Sequence, residues 1–256
     1  MWKGKGKIEN KFSKEESLYK ALVVGLRDYV NNNNFKGVLL GLSGGIDSAV
    51  VSTICSMTGI KTLALSMPIK QIKEQDDLSK KHCKWLLTKF KNIEILNINL
   101  DEVFINFEKA LTKNNSEHAF ANSRARIRMT TLYQVAGSNN GIVVGTGNKV
   151  EDFGVGFYTK YGDGGVDISP IADCTKTEVW ELAEEIGVIK DIISAAPTDG
   201  LWDDSRNDES QLGLSYKQLE EAMENKSSEY YSRYEEIRKP NLHKMKPIPV
   251  CEIPKE

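Results

Sequence analysis

No apolar run in this chain approaches the roughly 20 residues needed to span a bilayer. Runs such as residues 38–40 and 142–144 are only a few residues each, and the opening MWKGKGKIENKF has no signal-peptide core. A protein free of membrane, and cytoplasmic, is therefore expected. Charge of one sign is equally scarce. Thirty-four Lys and Arg against 36 Asp and Glu leave a net −2, too little for a whole-molecule field that would hold nucleic acid. Any anionic ligand must be held by a local site. The four cysteines, Cys55, Cys83, Cys174 and Cys251, are widely spaced with no C-x-x-C, which excludes a zinc ribbon and a disulfide framework. No internal repeat occurs, and His82 and His118 have no partners in sequence that would assign them a function.

What is present is an ordinary globular composition, 40% hydrophobic and 27% charged over 256 residues. That length suits one domain spanning 1–256, built on an open sheet of up to about six strands with helices on both faces. The first dozen residues lack periodicity and are expected to fray. Ser13 with Glu16 reads as a capping box opening a helix whose stripe is Leu18, Leu22, Leu26, Tyr29 and Val30, ended by the four asparagines 31–34. Short β-branched or Leu-rich runs then alternate with helical stretches. Strands are predicted at 37–42, 61–67, 93–98 and 141–146, and helices at 47–57, 75–90, 101–112 and 120–137. This alternation is that of an α/β fold with a doubly wound parallel sheet. A Gly-rich stretch follows, GFYTKYGDGGVDISP (156–170), predicted to be an active-site loop. Thr175 and Glu178 form a second capping box, with Gly187 closing that helix. Residues 197–213 are polar and turn-rich, and a charged helical stretch runs from Ser215 to about Arg238.

The most informative residues are GLSGGIDS: Gly41, Leu42, Ser43, Gly44, Gly45, Ile46, Asp47 and Ser48, between the first predicted strand and a helix. Backbone N–H groups in such a turn, with the unpaired donors of the helix's first turn, make a nest for phosphate. Neither G-x-x-x-x-G-K-[ST] nor G-x-G-x-x-G fits, since no lysine lies between Gly37 and Ser48. A carboxylate, Asp47, sits there instead. Beside a polyphosphate it would be repelled unless a divalent cation lay between them, which implies Mg2+. The bland alternative is a tight turn with Asp47 merely facing the helix dipole; strand, serines, carboxylate and helix together favour the phosphate reading.

This loop resembles the pyrophosphate loop of the ATP pyrophosphatase superfamily. ANSRARIRM (121–129), GTGNKVE (145–151), GFYTKYGDGGVDISPIADCTKTEV (156–179), PTDGLWDDSRNDESQLG (197–213) and HKMKP (243–247) further resemble the ammonia-dependent NAD synthetases, in family order. The resemblance runs from about Ser13 to Pro247. It implies a three-layer Rossmann-like fold of the adenine nucleotide alpha hydrolase type. It also implies a ligase that amidates deamido-NAD with ATP and ammonia through an acyl-adenylate, releasing AMP and pyrophosphate. By the same resemblance Gly41 to Ser48, Thr146, Lys176 and Thr198 contact ATP, and Asp47 and Glu151 hold magnesium, with Asp47 and Lys176 counted as catalytic. Arg126, Lys160, Asp167, His243 and Lys244 would meet deamido-NAD, Asp167 as a hydrogen-bond acceptor or a partner of the pyridinium. A homodimer is implied as well.

Plainer readings stand beside these. Arg124, Arg126 and Arg128 fit a solvated helix face; Arg126 and Arg128, about 200° apart on a helix, cannot readily share a ligand, so Arg128 is expected in a structural salt bridge. His243 alone is an ordinary surface residue. Trp202 suits core or lid, and Tyr230, Tyr231 and Tyr234 suit packing. Cys174 and Asn207 depart from the family's usual residues without removing a ligand. A tRNA-thiolating relative would want paired cysteines and a basic face, and a nucleotide sensor would not need two separated acidic ligands. Because the synthetase motifs fill the chain, no glutaminase domain is expected, and the nitrogen source is free or delivered ammonia.

Overall fold

The computed structural model describes residues 12–70, 73–197 and 207–253, the side chains of 73–75 excepted. The N-terminal segment expected to fray lies almost wholly outside these residues. Helix α1 (Lys14–Asn32) precedes β1 (Gly37–Gly41), α2 (Ile46–Met57), β2 (Lys61–Ser66), α3 (Lys73–Lys89) and β3 (Ile93–Asn97). Then come α4 (Asp101–Ala110), α5 (Glu117–Asn139), β4 (Gly141–Val143) and a π-helix (Lys149–Val155). The chain continues through α6 (Lys176–Glu185), α7 (Lys190–Ile193), α8 (Asp208–Leu212), α9 (Tyr216–Glu224) and α10 (Tyr231–Met245).

The strands form one parallel sheet in the order β3-β2-β1-β4, four strands where the length left room for six. Alternate residues serve opposite faces, as the period of a strand requires. Val38 and Leu40 of β1, Ala64 of β2 and Ile142 of β4 pack with α1, α2 and α6. Leu39, Leu63, Leu65 and Val143 point the other way, into a core with Phe104 of α4 and Ala136 of α5. The sheet is thus doubly wound. Each strand ends before its predicted limit because its last residues turn into the loops along the carboxyl edge; Val144 keeps a parallel bridge, to Ile168.

Two local expectations need correction. Ser13 caps α1 through the Glu16 N–H (2.9 Å), but the Glu16 carboxylate pairs with Lys20 instead of returning to the cap. The stretch from Ser215 is also two helices, not one: Asn225 leaves helical geometry at φ −124°, and α10 runs through Pro240 to Met245. These helices build a third core with the π-helix, in which Val150, Val155, Leu212, Tyr216, Leu219 and Tyr234 meet.

The chain winds from β1 outward to β3 and returns to place β4 on the other side of β1, so the sheet reverses direction between β1 and β4. Open α/β sheets bind ligands in the crevice at the carboxyl end of such a reversal. Leu39, fully buried at the sheet's centre, tests the core. Leu39→Ala should lower unfolding free energy by about 2–5 kcal/mol, read by urea denaturation.

Candidate active site

The turn after β1 is shaped by Gly44, at φ +90°, a left-handed conformation that side chains resist. Ser43 and Ser48 close on the loop itself: Gly45 N–H donates to Ser43 Oγ (3.1 Å), Ser43 N–H to Ser48 Oγ (3.3 Å), and Ser48 Oγ–H to the Gly45 carbonyl (2.9 Å). Asp47 follows in the first turn of α2. On the far side of the reversal, Asn148 caps the π-helix, its Oδ1 accepting from Val150 and Glu151 N–H (3.0 Å each), as a short polar side chain does at a helix start. The wider turn of a π-helix, rare outside functional sites, carries Glu151. From a third direction the complete Thr175–Glu178 capping box begins α6 and fixes Lys176 at its first residue.

These three elements converge on one ion cluster. Lys176 Nζ donates to Asp47 Oδ2 at 2.7 Å and to Glu151 Oε1 at 2.9 Å. Its side chain is 2% exposed, against 18% and 15% for the carboxylates. Asn148 Nδ2 donates to Asp47 Oδ1 (3.0 Å), and the Tyr216 hydroxyl donates to Glu151 Oε1 (2.6 Å) with Asp208 Oδ2 behind it at 3.2 Å. Burial raises the Asp47 carboxyl above its ordinary range, opposed by Lys176. Burial pushes Glu151 up too, but Lys176 and the bonds from Tyr216 and Asn148 outweigh it and hold that carboxyl low. Burial would lower the Lys176 ammonium, yet the two carboxylates together raise it.

Around it lies a cavity of about 270 Å³ whose lining includes all eight loop residues 41–48, Thr146, Glu151 and Lys176. Thr198 and Trp202 lie outside the described residues. Asp47 and Glu151 are hard oxygen donors within reach of a single cation, as Lys176 demonstrates, and so suit magnesium. Among the described residues no group of three His, Cys, Asp or Glu forms a complete metal centre, so phosphate oxygens and water would have to supply the remaining ligands.

Outside the cavity, four other expected site residues form a chain of bonds. Arg126 Nε–H donates to the Lys160 carbonyl (3.2 Å), Lys160 Nζ to the His243 carbonyl (3.1 Å), and the neighbouring Lys244 Nζ to the Tyr158 carbonyl (2.7 Å). Asp167 stands apart, accepting from Val143 N–H (2.8 Å) and from Tyr133 OH (3.1 Å). The Gly-rich loop between these residues is pinned to α5, with Thr159 Oγ1–H donating to Asn122 Oδ1 at 2.6 Å.

Arg128 differs from its expected role. It makes no ion pair among the described residues; it donates from Nε to the Met67 carbonyl (3.0 Å) and lines the cavity, whereas Arg126 does not. Burial and then Arg124 push its guanidinium down to about 10, so it remains a cation at neutral pH. Asn148 and Tyr216 were also passed over. A cap pattern before Glu151 was legible for the first. For Tyr216 the Ser215–Gln218 box announces a helix start, but nothing in the sequence aims its phenol at a residue 65 positions away.

The sequence profile of the NAD synthase family matches residues 18–253. The NH(3)-dependent NAD(+) synthetase of Mesoplasma florum is 41% identical over 229 residues, 87% of this chain and 91% of that protein. Among solved structures, an NMN synthetase from Francisella tularensis is similar with a TM-score of 0.87 and 31% identity, covering 95% of this chain and all of that one. An NH3-dependent NAD synthetase from Campylobacter jejuni gives 0.77 and 26%, covering 94% and 100%.

Removing Lys176 leaves two partly buried carboxylates facing each other. Lys176→Met should cost about 3–5 kcal/mol of stability near neutral pH. Without the lysine the carboxyls' folded-state pKa values rise above the unfolded ones, a contribution present at low pH and lost as pH rises. In wild type Glu151, held low, contributes stability that is lost as pH falls, and Asp47, raised by burial, a smaller share that is lost as pH rises; losing the lysine moves both carboxyls upward from there. The gap should therefore be wider at pH 7.5 than at pH 4.5 by urea unfolding.

Proposed function

The chain belongs to the NAD synthase family, and on that premise we propose that it is a ligase converting deamido-NAD to NAD, the last step of NAD biosynthesis, with ATP and ammonia. The observation that carries this reading is the Asp47–Lys176–Glu151 cluster set in one cavity beside the phosphate-type loop 41–48. A carboxylate resists direct displacement by ammonia. In the first step a nicotinate carboxylate oxygen attacks the α-phosphorus of ATP, the bond from that phosphorus to the bridging oxygen breaks, and pyrophosphate leaves. In the second, ammonia attacks the acyl carbon of the adenylate, the bond to the AMP oxygen breaks, and the nitrogen releases a proton.

The backbone of loop 41–48 and the Ser43 and Ser48 hydroxyls bind the phosphates, exchanging their local bonds for phosphate oxygens. Thr146 and Thr198 contact the nucleotide. Lys176 follows the charge that moves onto the leaving pyrophosphate, a fixed donor where charge develops. Asp47 and Glu151 hold magnesium, which when bound neutralises phosphate charge and makes the α-phosphorus a better electrophile. Arg126, Lys160, His243 and Lys244 bind the anionic groups of deamido-NAD, and Asp167 accepts a hydrogen bond from it or faces its pyridinium. Two polyanions are held by a near-neutral protein because its cations are gathered at this edge.

A synthetase unit using free or delivered ammonia is part of the same reading, as is a cytoplasmic location. Among the described residues no helix is long and apolar enough to cross a membrane. We include a homodimer, supported by the exposed Val103 and Phe107 on α4 and Tyr133 on α5. A second reading, amidation of the mononucleotide deamido-NMN, is favoured by the likeness to an NMN synthetase over the whole of that chain.

Incubation with ATP, Mg2+, ammonium and deamido-NAD should give NAD, AMP and pyrophosphate in equal amounts; formation of ADP would overturn the proposal. Rates with deamido-NMN in place of deamido-NAD separate the two substrates, and kcat/KM should favour the dinucleotide. Asp47→Asn and Glu151→Gln should each lower kcat at least about 100-fold with the far-ultraviolet circular dichroism unchanged. Wild-type rates in both would overturn the magnesium-holding roles of these carboxylates, and no turnover in wild type either would point to a nucleotide sensor.

A further inference from the structure

Asp47 and Glu151 share one ammonium, and the oxygens that accept it are Asp47 Oδ2 and Glu151 Oε1. Their other partners, Asn148 and Tyr216, are neutral donors, so Lys176 is the cation bonded to both carboxylates. Taking the assignment of Asp47 and Glu151 as metal ligands from the proposed function, we infer that Lys176 is the built-in counter-ion of the metal site, and that a divalent cation enters only when nucleotide phosphate draws the ammonium away.

Charge supports this order. By formal charge two carboxylates and one ammonium sum to −1; a divalent ion added with the lysine in place would bring the cluster to +1, with two cations competing for the same oxygens. Like charges at such separations repel strongly where water is sparse. Coordination supports it independently. Magnesium demands roughly six oxygens, and among the described residues the cluster is no complete metal centre. The missing oxygens and the missing partner for the ammonium are both supplied by the same group, a polyphosphate seated on loop 41–48, which lines the same cavity.

The frame that surrounds the lysine explains why the carboxylates stay behind when it leaves. Asn148 is fully buried and is held by its own cap bonds. Tyr216 is 1% exposed, its ring edge-on to Trp180 at 5.7 Å and its backbone N–H on Glu209 Oε1 at 2.9 Å. Each fixes one carboxylate by a bond that does not involve the ammonium. The Lys176 ammonium, at the end of a long side chain that starts from the first residue of α6, is bonded only to the two carboxylates among the described hydrogen bonds, so it loses no other such partner when it leaves them.

The test uses the full chain and Mn2+ as a paramagnetic probe, with uptake followed by electron paramagnetic resonance. Four samples are titrated: wild type alone, wild type with α,β-methylene-ATP, Asp47→Asn with the same analogue, and Lys176→Met alone. Wild type alone should bind Mn2+ at least about tenfold more weakly than Lys176→Met alone, a coupling of ordinary allosteric size. With the analogue, wild type should bind it more tightly than Asp47→Asn. Mn2+ affinity in wild type alone equal to that of Lys176→Met overturns the counter-ion role while leaving the metal ligands in place. Equal affinity of wild type and Asp47→Asn in the presence of the analogue removes the metal assignment, and the inference with it. Thermal unfolding gives a second readout for a weakened variant: Mg2+ without nucleotide should raise the Tm of Lys176→Met, or of the milder Lys176→Gln, and leave wild type unmoved. An equal rise in all three overturns the inference.

Discussion

A buried ammonium between two carboxylates is expensive to assemble, because all three groups give up water. Here the expense is met by geometry: Lys176 starts a helix, Asp47 lies in the first turn of another, and Glu151 sits on a π-helix, so each side chain is delivered by a rigid element. Every other part of the site takes its place from this junction. The phosphate-type loop is the turn that leads into Asp47, the Asn148 cap exists at the turn that presents Glu151, and the C-terminal helices reach the cluster through the Tyr216 phenol. The sheet contributes by the reversal between β1 and β4, which sets the three elements around one crevice.

Much of the fold was legible because its signals are local. Alternation in β1 and β2, the capping box at Thr175, the Ser13 half of the cap on α1, and Gly44 in its turn each depend on a few neighbouring residues. The strand ends were misread for a physical reason: Leu42, Val144 and Thr146 are as apolar or β-branched as the strands they follow, yet they lie beyond the paired strands and line the crevice. The division of the C-terminal stretch at Asn225, and the helix running through Pro240, were hidden because tertiary packing overrides weak local preference there.

The site was legible in a different way. Loop 41–48, Thr146, Glu151 and Lys176 could be named from motif order, and the structure gathers them in one cavity. Arg126 and Arg128 show where that route ends. Both stand on α5, and their angular separation was correctly seen, but which of the two faces the cavity depends on how α5 is rotated against the sheet. That rotation shows in the residues of α5 that are buried, Ala121, Arg124, Ala125 and Ala136, a property of three-dimensional packing that no spacing rule contains. Tyr216 belongs to the same class, since its role exists only through a core made by helices distant in sequence.

The third core, where α8, α9 and α10 close over the π-helix, has a consequence for the life of the chain on the ribosome. The bonds that complete the ion cluster span 101, 129 and 65 residues, while the sheet is finished once β4 has emerged. A nascent chain can therefore possess its sheet and its phosphate-type loop long before it possesses a site. Lys176, and then the helices that carry Tyr216 and Tyr234, follow the sheet in chain order, so the ion cluster can close only after both have been made.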